Sequence, residues 1–199
     1  VETTARDALL KLYADRVAEM GYDVRSVGWK SVEDQVLRFK ILSEIGVRAG
    51  DSVCDVGCGF GDLQPYLAST VGAVEYAGVD ISAELLAVAR QRRPDLRFTL
   101  ADILAEDYTA TADWHLLSGA LSFKLDDNLA FTRRMLERMF ALSRKGVAAN
   151  FLSTYVNYQH PRNFHYDPSE LLRMGKQITP RVALRHDYPL WEFTIYLYK

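Results

Sequence analysis

The chain has 199 residues, of which 49% are hydrophobic and 25% charged, with a net charge of −2 and a pI near 6.1. That length suits one domain around one core, and the balance excludes a disordered chain. Mild acidity excludes a general attraction for the phosphates of nucleic acid, and no apolar run approaches the roughly 18 residues of a transmembrane helix, so neither nucleic acid nor membrane is expected as a partner.

From Leu9, the stretch LLKLYADRVAEM reads as an amphipathic helix. After GYDVRSVGW a second helix is predicted, capped by Ser31 with Asp34 three residues on. It carries Leu37, Ile41, Leu42 and Ile45 at helical spacing and stops at Gly46. From residue 52 the pattern becomes strand and helix in turn. Strands are predicted at SVCDVG (52–57), VEYAGVDI (74–81), LRFTLADI (96–103), WHLLSGALSF (114–123), GVAANFLS (146–153), VALRHDY (182–188) and EFTIYLYK (192–199). Helices fit at 62–71, at 82–93 with Ser82 as cap, at 128–143 behind Asp126 and Asp127, and at 169–178 with Asp167 as cap and Pro168 at the first helical position. Only the connection over 104–113 carries no clear signal. The basic clusters QRRPDLR and ALSRKG fall where helices should end and read as solvated residues that offset the helix dipole.

Alternating strands and helices imply a parallel sheet covered on both faces, and the near-continuous apolar runs agree with strands buried on both sides. Between the last two strands only Pro189, Leu190 and Trp191 intervene. A parallel crossover needs at least about 10 to 12 residues, so the seventh strand is expected to run antiparallel to the sixth. The expected fold is therefore α/β, a doubly wound seven-stranded sheet with six parallel strands and an antiparallel seventh. It forms a single domain over 1–199, with a helical cap at 1–48, a core at 49–199 and a loop for substrate at 153–168. Cys54 and Cys58 have no partner cluster of Cys or His, which is neither a zinc pattern nor a disulfide framework. They are expected to be small buried thiols in a reducing, cytoplasmic setting, and no metal site is expected.

In such a sheet ligands bind beyond the carboxyl ends of the strands, and the unusual residues gather there. Gly57, Gly59 and Gly61 close the first strand, Asp80 the second and Asp102 the third, Ser118 to Phe123 finish the fourth, and STYVNYQHPRNFHYDP follows the fifth. A sharp strand-to-helix turn with a ligand against its backbone calls for residues without Cβ. Asp80, about 20 residues on, is placed to accept hydrogen bonds from the two hydroxyls of a ribose.

DVGCGFGDL, VDIS and ADI resemble the cofactor motifs of class I methyltransferases that use S-adenosylmethionine, with G-x-G-x-G spacing in place of the G-x-G-x-x-G of nicotinamide enzymes. The resemblance spans about residues 50–199. It implies a Rossmann-like fold, S-adenosylmethionine as donor and S-adenosylhomocysteine as product, but says almost nothing of the acceptor; the aromatic segment after the fifth strand and the lack of a basic stripe point to a small molecule methylated on oxygen or nitrogen. The resemblance further implies that the backbone of Gly57, Cys58 and Gly59 packs on the methionyl part with Asp55 near its ammonium. Asp80 would take the ribose, Ile81 and Ile103 would flank the adenine, and Asp102 would accept from its amino group. Ser118 and Gly119 would line the wall near the sulfonium. VGWKSVEDQVLRF resembles the amino-terminal cap of some small bacterial methyltransferases, which puts Trp29 and Gln35 over the cofactor.

Plainer readings stand beside these. Asp80 and Asp102 are common turn residues, Ser118 and Gly119 would suit a bulge, and Trp29 would suit the core. Phe60 suits packing and ligand contact equally. For a base, His165 is the first candidate because imidazole titrates near neutral pH, with His160 and Tyr158 beside it and Tyr155 and Tyr166 in the same segment. Against this, the plainer reading of both histidines is as solvent-exposed loop residues. Lys124 could bind an acceptor's carboxylate or phosphate, while His115 and His186, inside strands, read as structural. The alternatives to a methyltransferase are a non-catalytic module that binds the cofactor or a partner, and a nicotinamide-dependent oxidoreductase.

Overall fold

The computed structural model describes residues 3–199, so the first two positions of the expected cap lie outside the described residues. Helices α1 (Thr3–Met20) and α2 (Val32–Ser43) precede β1 (Ser52–Val56). They are followed by α3 (Leu63–Thr70), β2 (Glu75–Asp80), α4 (Ala83–Arg92), β3 (Arg97–Leu100), β4 (Ala112–Leu117), α5 (Asn128–Leu142), β5 (Ser143–Leu152), α6 (Pro168–Ile178), β6 (Val182–Arg185) and β7 (Glu192–Tyr198). The strands form one sheet in the order β3-β2-β1-β4-β5-β7-β6. All pairs are parallel except those of β7, which runs antiparallel to both β5 and β6.

Local chemistry accounts for most boundaries. Ser31, Ser82, Asp127 and Asp167 each accept a hydrogen bond from a first-turn N–H of α2, α4, α5 and α6, the pairing that makes Ser and Asp good N-caps. Successive residues then feed opposite faces. On β5, Val147, Ala149 and Phe151 join the core under α5 and α6, while Ala148 joins the one under α2, α3 and α4.

Several boundaries differ from expectation. Helix α1 begins at Thr3, upstream of Leu9, and α2 ends at Ser43 with a turn carrying the chain on to Gly46. The fourth strand stops at Leu117, because Gly119 adopts φ +74° and gives its N–H to Asn150 Oδ1, leaving the ladder. The fifth begins at Ser143, directly behind α5. Residues 101–111 form turns with no helix, held by Arg138, which donates to the carbonyls of Ile103, Ala105 and Tyr108.

The basic clusters are also less free than expected. Arg144 and Lys145 lie in β5 and pair with Asp113 and Asp51. Arg93 pairs with Asp62 at 2.8 Å and donates to Phe60 O at 3.0 Å, tying α4 to the glycine-rich turn. Arg92 lies 3.5 Å over the Tyr22 ring. These side chains fix loops; they do not merely solvate a helix end.

Candidate functional site

The carboxyl ends of β1, β2, β3 and β4 surround one cavity of about 1310 Å³, counting the solvent at its mouth. Every residue that the resemblance assigned to the cofactor lines it: Asp55, Gly57, Cys58 and Gly59 from β1 and its turn, Asp80 and Ile81 at the end of β2, Asp102 and Ile103 just past β3. Ser118 and Gly119 follow β4, and Trp29 and Gln35 come from the cap.

The turn after β1 holds Gly57, Gly59 and Gly61 at φ +69°, +53° and +75°, a region that costs a residue with Cβ about 1–2 kcal/mol. A Cβ on Gly57 would meet Ala120 at 2.8 Å, and one on Gly61 would meet the Phe98 ring at 2.7 Å. Four of the turn's N–H groups are already paired within the protein. Gly57 and Cys58 donate to Val79 O at 2.8 and 3.2 Å, Gly61 donates to Cys58 O, and Gly59 donates to Asp80 Oδ2 at 2.9 Å. What this stretch offers a ligand is a bare Cα surface. Phe60 is buried against Tyr22, its ring centroid 5.1 Å away.

Asp80 is buried, and Oδ1 accepts from Ser82 N at 2.9 Å. Burial raises its pKa, and its backbone hydrogen bonds act against the rise. Asp55 accepts from Tyr76 Oη at 2.7 Å. Its burial, reinforced by the charges of Asp80 and Asp62, pushes its pKa up to about 7, a desolvation effect in the main. Asp102 accepts from Leu104 N at 2.9 Å and meets Arg6 Nη1 at 3.4 Å. Ser118 Oγ is a buried hydroxyl with no partner among the described residues. Both cysteines are free and buried, and burial drives both thiols up, Cys54 to about 12, which disfavours the thiolate.

Helix α1 supplies contacts that the sequence reading missed. Arg6, Leu9 and Tyr13 line the cavity from above, and burial together with Asp80 pushes the Tyr13 phenol up to about 12. Their spacing of three and four residues was the available signal for one helix face. Phe131 and Met135 of α5, also four apart, were missed in the same way.

The segment after β5 is placed differently from expectation. None of His165, His160, Tyr158 and Lys124 lines the cavity. The segment packs behind the cavity wall: Phe164 N donates to Ser122 O, Lys124 N to Arg162 O, and Phe123 bridges to Asn163. Tyr158 is 71% exposed, and His160 Nδ1 accepts from Arg162 N at 3.2 Å. His165 is half-buried, which lowers its pKa. Tyr166 is a core residue whose hydroxyl joins Thr132 Oγ1 at 2.8 Å and Leu121 O at 2.9 Å. Tyr166→Phe is accordingly expected to cost roughly 1–2 kcal/mol in urea unfolding, because Leu121 O loses a buried donor. An unchanged midpoint would show those hydrogen bonds to be idle. His115 is fully buried beside Ser143 Oγ at 3.0 Å, its pKa lowered to about 4 by burial. His186 lies just past β6, exposed, with its ring against Phe193 and Tyr155. Among the described residues no cluster of His, Cys, Asp or Glu could hold a metal ion, and no helix is long and apolar enough to cross a membrane.

Comparison with known proteins agrees with this architecture. A family described as a methyltransferase domain matches residues 53–146. A Mycobacterium tuberculosis protein, Rv1506c, whose own methyltransferase designation is provisional, is 33% identical over 162 residues, covering 77% of this chain and 97% of that protein. The 2-phytyl-1,4-naphtoquinone methyltransferase of Trichormus variabilis is 34% identical over 185 residues, covering 87% of this chain and 76% of its own length. Of several other curated relatives the chain spans less than half the length. Magnesium protoporphyrin IX methyltransferase from Synechocystis PCC 6803, solved with bound SAH, shares the fold over 100% of both chains, with a TM-score of 0.72 at 14% identity. Site architecture, family match and near full-length relatives converge on one assignment: the chain belongs to the class I S-adenosylmethionine-dependent methyltransferases.

Proposed function

We propose that this cavity binds S-adenosylmethionine through the residues named above and that the chain transfers its methyl group to an oxygen or nitrogen of a small-molecule acceptor. The observation that carries the reading is the meeting, in one cavity, of the bare glycine turn, Asp55, Asp80 and Asp102 from three successive strand ends. The residues fit the cofactor. Asp80 keeps lone pairs for the ribose, Asp102 faces the adenine end beside Ile103, Asp55 is a carboxylate for the ammonium, and the unpartnered Ser118 Oγ has a hydrogen to give. When bound, the donor brings an already activated sulfonium methyl. The protein's part is then to bind, orient and exclude water, and such positioning supplies roughly 7–11 kcal/mol in favourable cases.

The G-x-G-x-G spacing, in place of the G-x-G-x-x-G of nicotinamide enzymes, speaks against the nicotinamide alternative, as does the antiparallel β7. The relative named for a naphthoquinone acceptor favours a small molecule over a macromolecule, as does the net charge of −2. The two free thiols suit a reducing, cytoplasmic compartment.

Calorimetric titration with S-adenosylhomocysteine tests the cofactor site, and turnover with labelled donor separates an enzyme from an idle binding module. The titration carries a further signature. In the free protein Asp55, raised to about 7 against 3.8 in the unfolded chain, holds more proton when folded. Its contribution therefore favours folding below about pH 4 and is lost as pH rises toward 7. An ammonium placed against Asp55 favours the charged form, so binding at pH 6 is expected to release close to one proton. Affinity should rise by up to about tenfold per pH unit until pH 7, and Asp55→Asn should remove that slope. Proton-neutral binding in buffers of different ionisation enthalpy would refute the pairing.

A further inference from the structure

The cavity wall at Gly119 is closed by a circuit of contacts drawn from four distant parts of the chain. Gly119 donates its N–H to Asn150 Oδ1 on β5 at 2.7 Å. Asn150 Nδ2 donates to Glu192 Oε2, at the start of β7, at 2.9 Å. Glu192 accepts in turn from Arg38 of α2, whose Nε lies 3.1 and 2.9 Å from its two oxygens and whose Nη2 also reaches Oε1. The Arg38 guanidinium lies 4.0 Å over the Trp29 ring. The indole edge then rests on Gly119, where a Cβ would meet Trp29 Cη2 at 2.1 Å. The circuit returns to the residue from which it started.

Its polar members are all buried: Asn150 is 3%, Glu192 4% and Arg38 8% exposed. Burying an arginine and a carboxylate carries a desolvation cost, and apolar side chains of the same volume often hold two elements together at least as well. The sheet does not need this pair for its own cohesion, since β5 and β7 are already in register from Gly146 to Leu152. What the polar circuit supplies is direction. Asn150 turns the Gly119 peptide N–H toward the sheet, Glu192 fixes both the Asn150 amide and the Arg38 fork, and the planar guanidinium sets the tilt of the indole. Arg38 is itself anchored, donating through Nη1 to Asp34 O at 2.8 Å.

We propose that Asn150, Glu192 and Arg38 are positioning residues for the cofactor site, holding the edge of Trp29 against Gly119 and so setting the wall beside the donor's reacting end. This rests on the reading that the cavity holds S-adenosylmethionine.

The test uses Arg38→Lys, which keeps the charge beside Glu192 but has neither fork nor plane, and Asn150→Leu, which cuts the link to Gly119. Each is measured for thermal midpoint, S-adenosylhomocysteine affinity by calorimetry, and Trp29 emission obtained by difference from Trp29→Phe. Thr179→Val, which loses the hydrogen bond of a buried side chain to Tyr198 O just past α6 and away from the cavity, is the control for destabilisation alone. Folded Arg38→Lys and Asn150→Leu proteins are expected to bind about tenfold more weakly, roughly 1.4 kcal/mol, with a shifted Trp29 emission, while Thr179→Val lowers only the midpoint. Arg38→Lys with affinity within twofold of wild type and unchanged emission overturns the proposal, and it decides alone if Asn150→Leu does not fold. Wild-type protein that fails to bind S-adenosylhomocysteine would overturn the functional reading beneath it instead.

Discussion

Asp80→Ala is expected to weaken S-adenosylhomocysteine binding by at least about a hundredfold. Two losses combine. The variant has no carboxylate to accept from the ribose hydroxyls, and hydrogen bonds to a charged group are worth roughly 1.5–3 kcal/mol each. It also strips the partner from Gly59 N, 2.9 Å away, and from Ser82 N. The glycine turn that must lie against the ligand is thereby released. A total near 3 kcal/mol corresponds to about two decades in dissociation constant. Asp80→Asn, which keeps an acceptor for one of the two N–H groups, is expected to fall between. Calorimetric affinity of the alanine variant within threefold of wild type would place the ribose elsewhere and remove the basis for the site.

Gly119→Ala should be the most damaging of the conservative changes. At φ +74° the alanine sits in the left-handed region, which costs about 1–2 kcal/mol. Its methyl would also lie 2.1 Å from the Trp29 ring, an overlap that must move the indole and costs about 1–3 kcal/mol more. For a chain of this size each kcal/mol lowers the thermal midpoint by about 2–4 °C, so a fall of roughly 4–20 °C is expected, with weaker S-adenosylhomocysteine binding. Because the overlap has one partner, adding Gly119→Ala to a chain that already carries Trp29→Ala should cost only the left-handed strain, about 1–2 kcal/mol. The two effects must be strongly non-additive, and simple additivity would show that the indole does not rest on Gly119.

Much of the site was legible from local pattern. The glycine turn, Asp55, Asp80 and Asp102 sit at strand ends, and a strand end is marked within a few residues by apolar run and punctuation. The segment Tyr155–Tyr166 misled for a related reason. Aromatic and histidine-rich composition says that a loop has chemistry available, but not which way it faces. Here its backbone pairs with residues 122–124 and carries its histidines behind the wall. Arg6 and Tyr13 were missed because nothing within α1 says which helix end or sheet edge it covers. Arg6 meets Asp102, 96 residues further along the chain.

By itself the amino-acid order determined the element sequence, four of the helix caps and the reversal between the last two strands, since each depends on residues within about one turn or one loop of one another. It also marked which ends of the parallel strands carry carboxylates and glycines. Only the tertiary structure decided that β7 inserts between β5 and β6, that α1 roofs the cavity, and that Arg38 finds Glu192 across 154 positions to brace Trp29 on Gly119. Those pairings come from burial of faces brought together by the whole fold, and burial is a property of the assembled core that no short window of sequence contains.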